Sequence, residues 1–278
     1  MTIVAAFKML VPTALKQPVR NYIDARALRQ QAALPFDRTN LQPVSRVDLA
    51  AIMSDATIGA VFAEDNARIA RAYGKGEIFG GVNPGDRRAL YHLIAHFQPK
   101  RVLEIGTHVG ASTIYIASAL LRFADGGQLT TADIADVNGP NGAWKSLGMP
   151  AAPARFIADL GLEAVTTFVT RPAAEMLRAS GRYDLIFLDG DHSTLAVYRE
   201  ISAALRILNP DGLIVLHDFY PGGKPLTPDG GAIKGPSLAA ERINSETKDL
   251  VFVPLGMLPW QTKGGGNATS LALVTQQG

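Results

Sequence analysis

From residue 84 onward the apolar positions recur with two alternating periods. Leu90, Leu93, Ile94 and Phe97 fall at i, i+3, i+4 and i+7, a helix that Pro84 and Asp86 open and Pro99 ends. Short apolar runs and helical stretches then alternate. Residues 101–105 predict a strand, 111–122 a helix, 128–132 a strand, 153–160 a helix, 164–169 a strand and 173–179 a short helix. A loop rich in Gly, Asn and Pro fills the gap before residue 150. Residues 183–188 form a nearly all-apolar strand, 195–208 a helix with Tyr198, Ile201, Leu205 and Leu208 on one face, and 213–216 another apolar strand. Apolar strands separated by helices indicate a parallel sheet covered on both faces. Past residue 218 the alternation breaks. A Gly/Pro/Lys-rich loop spans 219–236, Ser237 caps a helix running to Glu246, and strands at 250–255 and 270–275 flank the turn Gly264-Gly265-Gly266-Asn267. Two strands joined without a helix form an antiparallel hairpin, placed at the sheet edge.

Upstream of residue 81 no strand pattern appears. Residues 21–33 are rich in Arg, Gln and Ala, and 47–72 are Ala-rich with scattered acids and arginines, which predicts helices. The chain therefore divides into a helical N-terminal extension, residues 1–80, and an α/β domain, residues 81–278. A length of 278 residues with 47% hydrophobic and 19% charged residues suits one globular domain with such an appendage. The net charge of +2 gives no electrostatic case for nucleic acid as a partner. With no cysteine, disulfides, thiolate zinc sites and cysteine nucleophiles are excluded. Lys8 interrupts the moderately apolar first fifteen residues and no apolar run is long enough to cross a bilayer, so a cytoplasmic enzyme is expected.

Candidate chemistry lies at the strand ends. Val102-Leu103-Glu104-Ile105-Gly106-Thr107-His108-Val109-Gly110-Ala111-Ser112 reads as a buried strand ending in an acid, a glycine turn and a helix start. Glycines there let a bound molecule approach the backbone. The spacing is Gly-x-x-x-Gly, unlike the Gly-x-Gly-x-x-Gly of a dinucleotide site. Asp133, Asp189 and Asp218 close three further strands. A single terminal acid is most simply a helix cap; four on one sheet point to a ligand at the carboxyl ends of the strands. A second constellation is Asp189-Gly190-Asp191-His192 together with His217-Asp218, at the ends of neighbouring strands.

In order and spacing, these stretches resemble the class I S-adenosylmethionine-dependent methyltransferases, in particular the catechol O-methyltransferase-like small-molecule O-methyltransferases, over residues 80–275. The resemblance implies a Rossmann-like, seven-stranded, mostly parallel sheet with an antiparallel C-terminal hairpin. It implies S-adenosylmethionine as cofactor, held by Glu104, Gly106, Thr107, Gly110, Ser112, Asp133 and Asp189. Asp133 would accept both ribose hydroxyls, Ser112 would hold the carboxylate, and Gly80-Gly81-Val82-Asn83 would cover the cofactor. At Thr170-Arg171-Pro172-Ala173 the chain departs from relatives that carry Gly and a small polar or acidic residue near the adenine; Pro172 offers no N–H. Methyl transfer is an in-line displacement that needs an activated hydroxyl, by a divalent metal or by a general base. The resemblance implies Mg2+ on Asp189 and Asp218, with Phe219 where relatives carry a third ligand. The base is His192, in the loop, or His217, on a buried strand; with Asp189 they form the expected catalytic set. Tyr220, Lys224, Lys234, Trp144 and Trp260 are candidates to wall the cleft. The expected reaction is transfer to a hydroxyl of a catechol-, sugar- or polyol-like small molecule, in a homodimer to which the N-terminal helices contribute an interface or a substrate lid. A nicotinamide-dependent oxidoreductase and a catalytically inactive cofactor-binding regulator are the alternatives.

Overall fold

The computed structural model describes residues 23–73, 80–178, 181–226, 230–262 and 265–277. Among them the strands form one seven-stranded sheet in the order β3-β2-β1-β4-β5-β7-β6. The strands are β1 (Arg101–Ile105), β2 (Gln128–Asp133), β3 (Thr166–Thr170), β4 (Tyr183–Leu188), β5 (Leu208–Leu216), β6 (Leu250–Pro254) and β7 (Ala272–Gln276). The first five are parallel, and β7 runs antiparallel to both β5 and β6. This is the expected Rossmann-like architecture. The hairpin differs in one respect: its second strand inserts beside β5, so β6 is the edge.

Alternation along each strand builds two cores. Val102, Leu185, Phe187, Leu213 and Val215 face a cluster shared with the helices α1 (Leu49–Ser54), α2 (Ala56–Tyr73), α3 (Pro84–Phe97), α4 (Ala111–Phe123) and α5 (Pro153–Asp159). Leu103, Ile105, Ile186, Leu188, Ile214 and Leu216 face the other side, where α6 (Thr194–Arg206) and α7 (Gly235–Glu246) pack. Both faces being covered explains why these strands read as unbroken apolar runs. Residues 23–30 are helical as well, while residues 21 and 22 lie outside the described residues. The N-terminal part also contains an extended piece: Leu41 and Pro43 make isolated parallel bridges to Gly212 and Gln276. Burial of Leu41 at 1% exposure stabilises that docking by about 2 kcal/mol.

Several boundaries move. The helix expected over 195–208 ends at Arg206, and β5 already begins at Leu208. It passes through Asn209-Pro210-Asp211, which reads as a turn, by shifting register against β4 between Tyr183 and Leu185, with Asp211 at φ 59°. The strand at 164–169 is a 3-10 turn, Glu163–Val165, followed by β3, and the helix at 173–179 is one turn, Ala173–Met176. Among the described residues no helix is long and apolar enough to cross a membrane.

Register matters most for the site. Ile105 pairs with both Ala132 and Leu188, and Leu188 with Leu216, so the carboxyl ends of β2, β1, β4 and β5 finish level. The winding direction reverses between β1 and β4, which opens a crevice above those ends.

Candidate active site

The turn after β1 rests on a buried acid. Glu104 is fully buried and accepts from the hydroxyls of Ser112, Thr113 (2.6 Å) and Thr131 (2.6 Å). Burial pushes its carboxyl up to about 7, against the three hydroxyls, which lower it, while Asp189 raises it further. Thr107 is also buried, its hydroxyl 2.6 Å from that of Thr131. Glu104, Thr107 and Ser112 thus tie β1, β2 and α4 together beneath the turn. Gly106, at φ 101°, brings the backbone so close to the end of β4 that a Cβ there would overlap the Asp189 carbonyl.

Above this turn lies a cavity of about 500 Å³, walled by Gly106, Asp133, Asp189, His192, His217 and Asp218 among others. Of the expected ligand-holding residues, Gly106, Asp133 and Asp189 reach its wall, with Gly81 from the predicted cover; Glu104, Thr107, Gly110 and Ser112 sit behind it. Asp133 is fixed by two backbone donors, His108 N–H to Oδ2 and Ala135 N–H to Oδ1, both at 2.9 Å. Each of its oxygens keeps a lone pair for a ligand.

The second constellation converges on the same cavity. His217 Nδ1 hydrogen-bonds Asp189 Oδ1 at 2.6 Å, and its Nε2 lies 3.5 Å from Asp86 Oδ2. Burial alone would lower the basicity of this imidazole, but Asp189, Asp86 and Asp218 outweigh it and hold the group well above 6.5. His217 is therefore a fixed cation among acids. His192 stands apart, its side chain 28% exposed, with Nε2 at 3.5 Å from Asp218 Oδ2 and 3.7 Å from Asp189 Oδ1. Asp218 adopts φ 52°, a left-handed conformation uncommon for a residue with a side chain.

Sequence reasoning missed Asp86, Glu200 and Ile134 here, and named Arg171 only as part of the stretch near the adenine. Asp86, read only as a helix opener, is fully buried beneath the cluster, accepting from Thr269 (2.5 Å) and Asn83 (2.6 Å). Arg171, Glu200 and Ile134 line the cavity. Ile134 is an apolar side chain 75% exposed immediately after Asp133, a juxtaposition that was visible in the chain. Of the remaining candidates, Tyr220 is buried beside Asp218 and Asp86, its phenol pushed up to about 12 by burial and by those acids. Trp144 bonds the Gly139 carbonyl and Trp260 the Gly85 carbonyl, with Arg88 stacked 4.1 Å over the Trp260 ring. Neither tryptophan walls the cavity, nor do Lys224 and Lys234.

A model of the methyltransferase domain matches residues 103–219, the stretch that carries both constellations. Over this stretch the chain is similar to S-adenosylmethionine-dependent O-methyltransferases. A protein of Mycobacterium sp. (strain JLS) named as an O-methyltransferase is 29% identical over 184 residues, 64% of this chain and 76% of its own length. The fold is that of a Klebsiella pneumoniae structure described as an O-methyltransferase, with TM-score 0.53 and 24% identity over 82% of this chain and 93% of that one. It is shared by the O-methyltransferase TomG of Streptomyces achromogenes, solved with S-adenosylmethionine, with TM-score 0.51 and 20% identity over 95% and 99%.

The donor set of this site does not fit magnesium, contrary to the expectation for Asp189 and Asp218. A hard dication takes six or more oxygen ligands. Here Asp189 is bound by the His217 ring, and Phe219, where a third oxygen is needed, is buried and stacked on Phe252 at 6.1 Å between ring centroids. Among the described residues no group of three or more His, Asp or Glu has the arrangement to hold a metal ion.

Proposed function

We propose that this enzyme methylates a hydroxyl oxygen of a small catechol-, sugar- or polyol-like molecule, with His192 as the general base. One observation carries the reading: the glycine turn with Asp133, and the Asp189/His192/Asp218 set, wall one cavity. That space is of the size small-ligand sites have. Its residues fit S-adenosylmethionine, since Gly106 offers bare backbone, Asp133 offers two oriented acceptors, and the acids attract a sulfonium cation. When bound, the cofactor supplies an electrophilic methyl on that sulfonium. His192 would take the acceptor's hydroxyl proton, and Asp218 and Asp189 would stabilise the imidazolium that results. His217 holds Asp189 in place.

The same wall restricts the acceptor. At the end of the cavity over β4 and β5, Asp189, Asp191 and Asp218 outnumber the cationic His217, which favours neutral or cationic acceptors over carboxylates and phosphates. The setting that goes with this reading is cytoplasmic, and the assembly a homodimer, which light scattering reads directly. The function is tested with a methyl-labelled donor across catechols, sugars, polyols and their anionic analogues, alongside titration with S-adenosylhomocysteine and NAD. Label in a neutral hydroxylated acceptor and binding of S-adenosylhomocysteine alone are expected. Binding of NAD in its place, or label only on anionic or nitrogen acceptors, overturns the reading.

A further inference from the structure

Glu200 is a buried acid that the reaction above does not use. It lies on the inner face of α6 with Val197, Tyr198 and Ile201, is 8% exposed, and opens on the cavity. Among the described residues its carboxyl has no hydrogen-bond or ion-pair partner. Its carboxyl opens on the cavity, and a largely buried acid with no such partner calls for an explanation, of which a bound ligand is one.

Its position says which part of a ligand that is. Across the sheet order the cavity divides in two. His192, His217 and Asp218 stand over β4 and β5, while Asp133, Ile134, Arg171 and Ala173 stand over β2 and β3. Glu200 stands between the Asp191 carboxylate of the loop after β4, which acts on it, and the second end, where α6 packs against the Ala173–Met176 turn. With Asp133 on the ribose, the base lies at this end. The segment after β3 offers it little: the Arg171 N–H is bonded to the Asp133 carbonyl at 2.8 Å, Pro172 has no N–H, and the side chain of Ala173 is a methyl.

We propose that Glu200 reads the adenine of S-adenosylmethionine, its carboxyl facing a ring nitrogen and the exocyclic amino group together. This rests on the function proposed above. Burial, with Asp191 adding, pushes the Glu200 carboxyl up to about 8, so at neutral pH it is largely a neutral acid. A neutral carboxyl carries one O–H donor and a carbonyl acceptor, the complement of an adenine edge that offers one acceptor and one N–H donor.

The test titrates the full chain and its Glu200→Ala and Glu200→Gln variants with S-adenosylhomocysteine and with its 6-deamino analogue. The expected result is a loss of about tenfold or more in S-adenosylhomocysteine affinity for Glu200→Ala. The 6-deamino analogue loses clearly less, and Glu200→Gln, whose amide keeps a donor and an acceptor, stays close to wild type. Glu200→Met, of similar length and without hydrogen-bonding capacity, repeats the measurement should the alanine variant fail to fold. Unchanged affinity in the Ala or Met variant, or equal losses for both ligands, overturns the role of Glu200 alone. If wild type does not bind S-adenosylhomocysteine at all, the proposed function fails and this inference with it.

Discussion

The two histidines of the cleft differ because of what surrounds them. His217 is enclosed by three carboxylates and keeps its proton, whereas His192 reaches the cavity with a partly exposed ring. A ring that already holds its proton cannot act as the base, which excludes His217 from that role. Replacement His192→Gln is expected to lower kcat by about 10²- to 10³-fold with KM little changed, since general-base catalysis contributes on that order. A steady-state comparison at neutral pH reads this, and an unchanged kcat assigns the base elsewhere. Because the acids are engaged by imidazole rings and Phe219 is turned into the core, turnover in excess chelator should equal turnover without it. At the other end of the cavity, Asp133→Ala removes two ligand acceptors. Loss of a charge-assisted hydrogen bond weakens binding by about 2 kcal/mol, so affinity for S-adenosylhomocysteine falls about 30-fold or more while the fold is retained. Calorimetric titration beside a melting curve separates the two effects.

At the scale of elements, the tightest constraint is the contact between the turn after β1 and the end of β4. Any side chain at Gly106 meets the Asp189 carbonyl and must also adopt a positive φ. Gly106→Ala is therefore expected to destabilise by about 3 kcal/mol or more and to reduce donor affinity with it. A denaturation midpoint equal to wild type would falsify that contact. This turn was legible in the chain because glycine at a strand end is a local signal, as are the unbroken apolar runs of β1, β4 and β5. What joins distant elements was not legible. Glu104 reads as a ligand-facing strand-end acid, yet it accepts from Ser112, Thr113 and Thr131, whose hydroxyls reach it only once α4 and β2 are packed. Asp86 meets His217 across 131 positions of sequence (217 − 86), and nothing local marks it. Glu200 sits among helical residues where a glutamate is ordinarily solvated; only the packing of α6 over the sheet turns it to the cavity. The start of β5 was hidden because Asn209-Pro210-Asp211-Gly212 has turn composition, which the register shift against β4 accommodates.

Over the whole molecule, these buried groups make folding depend on pH in one direction. Glu104 rises from 4.5 to about 7 and Glu200 from 4.5 to about 8 on burial. Each binds a proton more tightly folded than unfolded, so its favourable contribution is complete below pH 4.5 and is lost as pH rises through the folded value. His217, raised above 6.5 by its carboxylates, works the same way: its contribution is present below 6.5 and disappears as pH climbs through its folded value. His92, which burial lowers below 6.5, works the other way and adds stability as pH rises toward 6.5, one group against three. The melting temperature should fall between about pH 5 and pH 8.5, by several degrees, a stability change of one or two kcal/mol shifting it by about 2–4 °C per kcal/mol in a chain of this size. Scanning calorimetry across that range checks the sign, and a midpoint that is flat or rises with pH overturns it. The double variant Glu104→Gln/Glu200→Gln, neutral at every pH, isolates the cause. Its melting temperature should vary less with pH than that of wild type, leaving mainly the part that His217 supplies at the alkaline end.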